Sequence, residues 1–182
     1  MTRMDQVSPV EPQAGARGAG QKRVRTRALY TAEQRRRRDA SVWTVVQGVL
    51  APLQFLVFLV SLALVLRTLA TGAGAFAADL SIVIKTMVLY TIMVTGSIWE
   101  KVVFGKWLFA KPFFWEDVFS MLVLALHTLY LVMLFAGLGT LQERMLVALA
   151  GYAAYVINAG QFLWKLRMAR REGPACAGAV PA

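Results

Sequence analysis

One cysteine, one histidine and ten acidic residues are all that this 182-residue chain offers of the side chains most used for catalysis and metal binding. The lone Cys176 stands in a small-residue tail, so neither a disulfide framework nor a thiolate metal site is available. Together with the single His127 it falls short of the usual zinc ligand sets, and no metal site is expected. Negative charge is scarce, with 20 Lys and Arg against 10 Asp and Glu, a formal net charge of +10. The basic residues are clustered, yet the aromatic interleaving and soluble core of a nucleic-acid binder are both missing. Nucleic acid is therefore excluded as a partner.

What is present is apolar. Hydrophobic residues make up 58% of the chain, and a mean hydropathy of +0.55 is too high for a soluble domain of this size. Four apolar runs lie near 42–66, 80–99, 117–136 and 145–164, each long enough as a helix to cross a ~30 Å hydrocarbon core. The first is too long for a signal-peptide core and ends at Arg67 without a small-residue cleavage pattern. Ten of the twenty basic residues precede residue 39; Lys101, Lys106 and Lys111 separate the second and third runs; Lys165, Arg167, Arg170 and Arg171 close the fourth. The other two loops hold only Arg67 and Arg144, so the positive-inside rule puts both termini and the 100–116 loop in the cytoplasm. The expected fold is all-α, an integral membrane four-helix bundle surrounded by lipid, with both termini cytoplasmic. A Gly, Ala, Arg and Pro-rich segment over 1–28 reads as a disordered tail, 29–170 as the helical domain, and 171–182 as a flexible C-terminal tail. Thr31 to Gln34 matches a capping box that opens a short basic helix over Arg35–Arg38.

Half of the acids (Asp5, Glu11, Glu33, Asp39 and Glu172) fall in the polar ends, and Asp79 and Glu143 sit in the two opposite loops. Glu100, Glu116 and Asp117 alone occupy the apolar–aqueous boundary on the basic side. A carboxyl there is partly desolvated, which disfavours its charged form and suits it to proton transfer. Around these acids cluster Trp99, Trp107, Trp115, Phe104, Phe109, Phe113 and Phe114, a combination that suits a planar, apolar ligand with one reactive edge. Tryptophan belts are routine at interfaces, so this names a pocket type and not a reaction.

Inside the runs, polar residues read mostly as packing. Gln47 and Gln54 share a face of the first run, which Pro52 should kink, and Asn158 and Gln161 share a face of the fourth; interhelical hydrogen bonding is the expected role for each, with a ligand contact as the alternative for the two glutamines. Gly48, Gly96, Gly151 and Gly160 read as close-packing positions. Lys85 is expected to snorkel outward or to pair with Asp79. His127 lies midway along the third run, where an ionisable group is costly and therefore a functional candidate. Eleven residues separate it from Glu116, a net turn of only ~20°, so both project from a stripe that includes Ser120, Val123 and Tyr130 or Leu131. At a separation of ~16 Å they do not touch, but one large flat ligand can meet both. The alternative is a neutral histidine bonded to another helix.

The stretches LYTAEQRRRRD (29–39), VQGVLAPLQFLVFLVSLALVLR (46–67), YTIMVTGSIWEK (90–101), FFWEDVFSMLVLALHT (113–128) and YVINAGQFL (155–163) resemble, in order, the 3-vinyl (bacterio)chlorophyllide hydratases of bacteriochlorophyll biosynthesis in purple phototrophic bacteria. The resemblance implies a multi-pass enzyme of the bacterial inner membrane. It would add water across the C3 vinyl group of a chlorophyllide-type tetrapyrrole, without a cofactor, since the magnesium belongs to the substrate. Such chemistry needs a proton donor, a base for the attacking water and negative charge near a ring-conjugated cation. Glu116 is expected as the acid, with Glu100 or Asp117 orienting water. Adjacent helical residues diverge by ~100°, which favours Glu100 as the partner of Glu116. His127, Trp99, Trp115, Phe114 and Asn158 are expected to hold the ring, His127 as axial ligand of its magnesium. Four helices make a thin wall around so large a ring, which leaves room for a homo-oligomer or a pathway complex. A non-catalytic chlorophyllide-binding or assembly protein, and a structural subunit whose acids pair with Lys101, Lys106 and Lys111, are the competing readings.

Overall fold

The computed structural model describes residues 29–172, and the tail expected over 1–28 and the residues after 172 lie outside the described residues. Five helices follow in order: α1 (Ala32–Ala40), α2 (Val42–Thr71), α3 (Ala75–Phe104), α4 (Phe114–Phe135) and α5 (Leu141–Glu172). Four of them, α2 to α5, are long and apolar enough to cross a membrane.

Helix ends follow backbone chemistry more closely than polarity. The capping box is formed: Gln34 N–H donates to Thr31 Oγ1 while Thr31 N–H donates to the Gln34 side chain, opening α1. At the other end of the span α2 continues past Arg67 to Gly72, whose φ of 67° closes it in the left-handed region, and α3 ends likewise at Gly105, φ 77°. The spanning helices therefore outrun the apolar runs, and only residues 105–113 form a long connection. Pro52 leaves α2 unbroken.

The bundle is inverted relative to a soluble protein. Large apolar side chains such as Leu56, Val60 and Phe135 are 60%, 61% and 75% exposed, while Gln54, Ser61, Lys85, Glu100, Glu116 and His127 are buried. An apolar exterior of this kind has lipid as its natural solvent. Helix α2 buries Gln54, Phe58, Ser61, Val65 and Thr68 at alternating four- and three-residue spacing, and α4 buries Glu116, Asp117, Ser120, Val123, His127 and Tyr130 along one helical stripe. The stripe expected on the third run is thus formed.

Packing divides the bundle into two hairpins. α2 lies closely along α3, and α4 along α5, whereas the α2–α5 and α3–α4 seams between the pairs are lighter. Gly151 serves a real close approach, because a Cβ there would lie 2.9 Å from His127 Cε1; Gly96 rests on Gln47. Gly48 and Gly160 have nothing within 4 Å, so these two are not close-packing positions.

Candidate active site

The start of α2, the end of α3, the start of α4 and the end of α5 meet at one end of the bundle, the basic end, where residues 105–113 fold back over them. Val103 and Phe113 form a small second core with Tyr30, which stacks on Phe104 at 5.8 Å and lies beneath the Arg38 guanidinium at 4.8 Å. α1 is thereby tied to the end of α3. Trp99 packs edge-on against Phe104 and Phe113, and its indole N–H donates to Thr44 Oγ1 at 2.9 Å.

All three boundary acids are buried beneath this lid: Glu100, Glu116 and Asp117 are 5%, 4% and 4% exposed. α4 begins at Phe114, so Glu116 and Asp117 both stand on its first turn and diverge. Glu116 turns to α5, where Lys165 Nζ donates to its Oε2 at 2.6 Å and also to the Pro112 carbonyl. Asp117 turns to α3, and it and Glu100 lie side by side beneath the neighbouring loop residues Phe109 and Ala110. The expected divergence is present, but the acid that meets Glu100 is Asp117 and not Glu116, because the α4–α5 contact draws Glu116 to the other side. Lys101, Lys106 and Lys111 pair with none of the three acids; Lys101 Nζ donates to the Gly105 carbonyl instead. That removes the observation on which a structural-subunit reading rested.

Glu100 and Asp117 also hold the lid. Ala110 N–H donates to Glu100 Oε2 at 3.2 Å, and Phe109 N–H to Asp117 Oδ2 at 2.8 Å. Phe109 has a φ of 58°, unusual for a side chain of this size and a local strain that the Asp117 bond helps to hold. The loop takes one oxygen of each carboxyl. Two buried carboxyls side by side disfavour a double negative charge, so the pair is suited to hold a transferable proton next to a carboxylate. Beside Ala110 a groove of about 180 Å³ is lined by Gln34, Phe104, Lys106, Lys111 and Pro112. That is below the ~300–1,000 Å³ of pockets that enclose a drug-sized ligand, so the groove admits an edge of a large ligand only.

The remaining expected site residues are dispersed. Phe114 and Trp115 are 44% and 66% exposed and face outward, away from the acids. Asn158 is buried and donates through Nδ2 to Ser120 Oγ at 2.8 Å, one turn deeper than Glu116 along α4. His127 is deeper again. Its Nδ1–H donates to the Val123 carbonyl at 2.8 Å, which leaves Nε2 as acceptor, and Lys85 Nζ lies 2.9 Å from Nε2. Both ring nitrogens are therefore engaged within the bundle, a geometry unlike that of an axial magnesium ligand and like the alternative of a histidine bonded to another helix. Lys85 neither snorkels nor pairs with Asp79: it is fully buried, 4.5 Å from the Tyr155 ring centroid and 5.1 Å from that of Tyr152. Six helical residues turn ~240°, which puts Lys85 and Asp79 on different faces of α3. Asp79 instead accepts from Tyr130 Oη at 2.5 Å and lies 3.9 Å from Arg144 Nη2 at the opposite end. No local sequence signal marks Lys165 as a site residue, since nothing joins it to an acid 49 residues away.

A multi-pass helical membrane protein with a buried acid cluster under an aromatic lid is the class that fold and site define. The chain belongs to the 2-vinyl bacteriochlorophyllide hydratase family, whose model matches residues 30–168. It is similar to the 2-vinyl bacteriochlorophyllide hydratase of Cereibacter sphaeroides, 70% identical over 146 residues that cover 80% of this chain and 91% of that protein. The protein of the same name from Rhodobacter capsulatus is 67% identical over 146 residues, 80% of this chain and 85% of that protein. No solved structure matches the chain.

Proposed function

We propose that this protein is a hydro-lyase of bacteriochlorophyll biosynthesis that adds water to the vinyl group of a bacteriochlorophyllide or chlorophyllide, and that the Glu100–Asp117 pair carries the proton. The vinyl group is the one numbered 2 in the relatives' names and 3 in systematic ring numbering. The activity rests on family membership; the residue roles rest on two buried carboxyls, Glu100 and Asp117, that accept from adjacent N–H groups of one loop, which is the single observation that carries them.

The protonated member of the pair transfers its proton to the terminal vinyl carbon, making it a methyl group and leaving a cation on the carbon attached to the ring. Conjugation with the macrocycle spreads that charge, and the two carboxylates now facing it stabilise it. Water adds at the cationic carbon and gives up a proton to either carboxylate, which yields the 1-hydroxyethyl product and restores the shared proton. Electrons and atoms balance without a redox partner or an organic cofactor, and the magnesium arrives with the substrate. Glu116, paired with Lys165, is poorly suited to be the acid first expected of it, and ties α4 to α5 beside the pair.

The positive-inside pattern puts this end at the cytoplasmic face of the bacterial inner membrane, with both termini on the same side. The ring then lies with its vinyl rim at the lid and the rest of its plane among apolar helices and lipid. Its free propionate falls on the neighbouring pyrrole, within reach of the groove with Lys106 and Lys111. A groove this small leaves most of the ring to other walls, which a second copy or a pathway partner can supply. Purified protein in detergent, given 3-vinyl bacteriochlorophyllide in H2(18)O, should form a labelled 1-hydroxyethyl pigment. Pigment bound but returned unchanged would instead mark a carrier.

A further inference from the structure

One buried residue is used neither by the proton chemistry nor by the packing. Gln54 is 1% exposed, and neither its Nε2 nor its Oε1 has a hydrogen-bond partner among the described residues. It was expected to join helices as Gln47 does, which donates to Thr95 Oγ1 at 2.8 Å; Gln54 joins nothing. Buried amides are almost always paired, so an exception calls for a reason.

Its surroundings supply one. Gln54 continues the α2 stripe one turn from Phe58, whose ring lies 5.5 Å from Tyr152 and 5.0 Å from Tyr155 on α5, and two turns from Ser61, which bonds the Tyr152 hydroxyl. The helices run antiparallel, so one turn back along α2 faces one turn on along α5, the level of Asn158. Asn158 Oδ1 is likewise buried without a partner, and so is Gln161 Oε1. Three amides with an unpartnered oxygen thus lie along α2 and α5, the helices of one of the lighter seams between the hairpins, and of the three only Gln54 has both amide atoms buried without a partner. Two residues before Gln54, Pro52 lacks the N–H that would bond the Gly48 carbonyl, which leaves α2 able to bend at this point.

We infer that Gln54 is a specificity-determining residue: its Nε2 donates to a carbonyl oxygen on the rim of the tetrapyrrole opposite the vinyl group, with the ring inserted into the α2–α5 seam. The inference rests on the hydratase reading above. In a chlorophyllide the keto group sits on the fused carbocycle, across the macrocycle from the vinyl-bearing pyrrole. Asn158 lies seven residues, ~10 Å, deeper along α5 than Lys165, which holds Glu116, and that depth is comparable to the width of the ring. A carboxamide reads a keto oxygen without burying a charge, which suits a site at this depth. Bound this way, the keto rim fixes how far the vinyl rim reaches toward Glu100 and Asp117.

The test uses the full chain in nanodiscs with 3-vinyl bacteriochlorophyllide a as the probe. Gln54→Leu should weaken pigment binding about tenfold by absorption titration and shift the keto C=O stretch of bound pigment to its unbonded frequency in resonance Raman. Its melting temperature should hold or rise, because an unpaired amide has been removed. As a second arm independent of folding, pigment with the keto group reduced to an alcohol should bind wild-type protein about tenfold more weakly than the keto form. A lowered melting temperature with unchanged affinity makes Gln54 a packing residue and overturns the inference. Unchanged affinity and keto frequency in a variant of normal stability overturns it too, with water as the amide's partner. If wild-type protein binds pigment but forms no alcohol, the hydratase reading fails, while the binding and Raman arms still judge Gln54.

Discussion

Both ends of the bundle hold acid, buried at the basic end and half-buried at the other, and they neutralise it differently. At the opposite end Asp79 has a hydroxyl at 2.5 Å and an arginine at 3.9 Å, one carboxylate against one cation. At the basic end Glu100, Glu116 and Asp117 share a single ammonium, Lys165, and two loop N–H groups supply the rest. A carboxylate matched by charge ties helices together and has no proton to give. Acids in excess of their cations retain one, and the bundle keeps that excess on the side where its aromatic lid and lysine-lined groove lie. The same contrast separates structure from chemistry within one type of side chain.

The largest expected effect divides the two ends directly. Asp117→Asn should lower turnover of the vinyl pigment by about 10²–10⁴, the usual contribution of a general acid or base. Asp79→Asn should change turnover less than about threefold while costing ~1–3 kcal/mol of stability. Steady-state hydration and thermal melts of the two variants check the pair.

A smaller effect concerns the layer between them. Lys85→Met or His127→Leu alone leaves a buried polar partner unsatisfied and should cost ~1–3 kcal/mol. The double variant should cost less than the sum, because two apolar side chains replace a complete pair. Melting curves of the four proteins measure that coupling. Gly151→Ala should also destabilise, by ~1–3 kcal/mol, since the new Cβ would meet His127 Cε1 at 2.9 Å. At the low end, Trp115→Ala should leave turnover within about twofold and stability within ~0.5 kcal/mol, because the ring is 66% exposed and its ring contact among the described residues is with Phe114.

How much of this was legible in the sequence depended on range. The capping box, the four spans, the stripe from Glu116 to Tyr130 and the three boundary acids are local or periodic patterns, and the structure has them. Helix ends are not legible from polarity where backbone chemistry decides them: α2 runs on past Arg67 because Gly72, not the charge, stops it. Partners were misjudged wherever choice depends on how helices rotate against one another. Glu116 goes to Lys165, Asp117 to Glu100 and Lys85 to His127, at separations of 49, 17 and 42 residues that no spacing rule connects. Gln54 looked like Gln47 in sequence and differs only in what stands across the seam.

Infrared spectroscopy of the folded protein at neutral pH tests the central claim most directly, by looking for the C=O band of a protonated carboxyl. A band present in the wild type and in Glu116→Gln, and lost in both Glu100→Gln and Asp117→Asn, is the predicted result. A wild-type protein without that band, or a band that only Glu116→Gln removes, would contradict it.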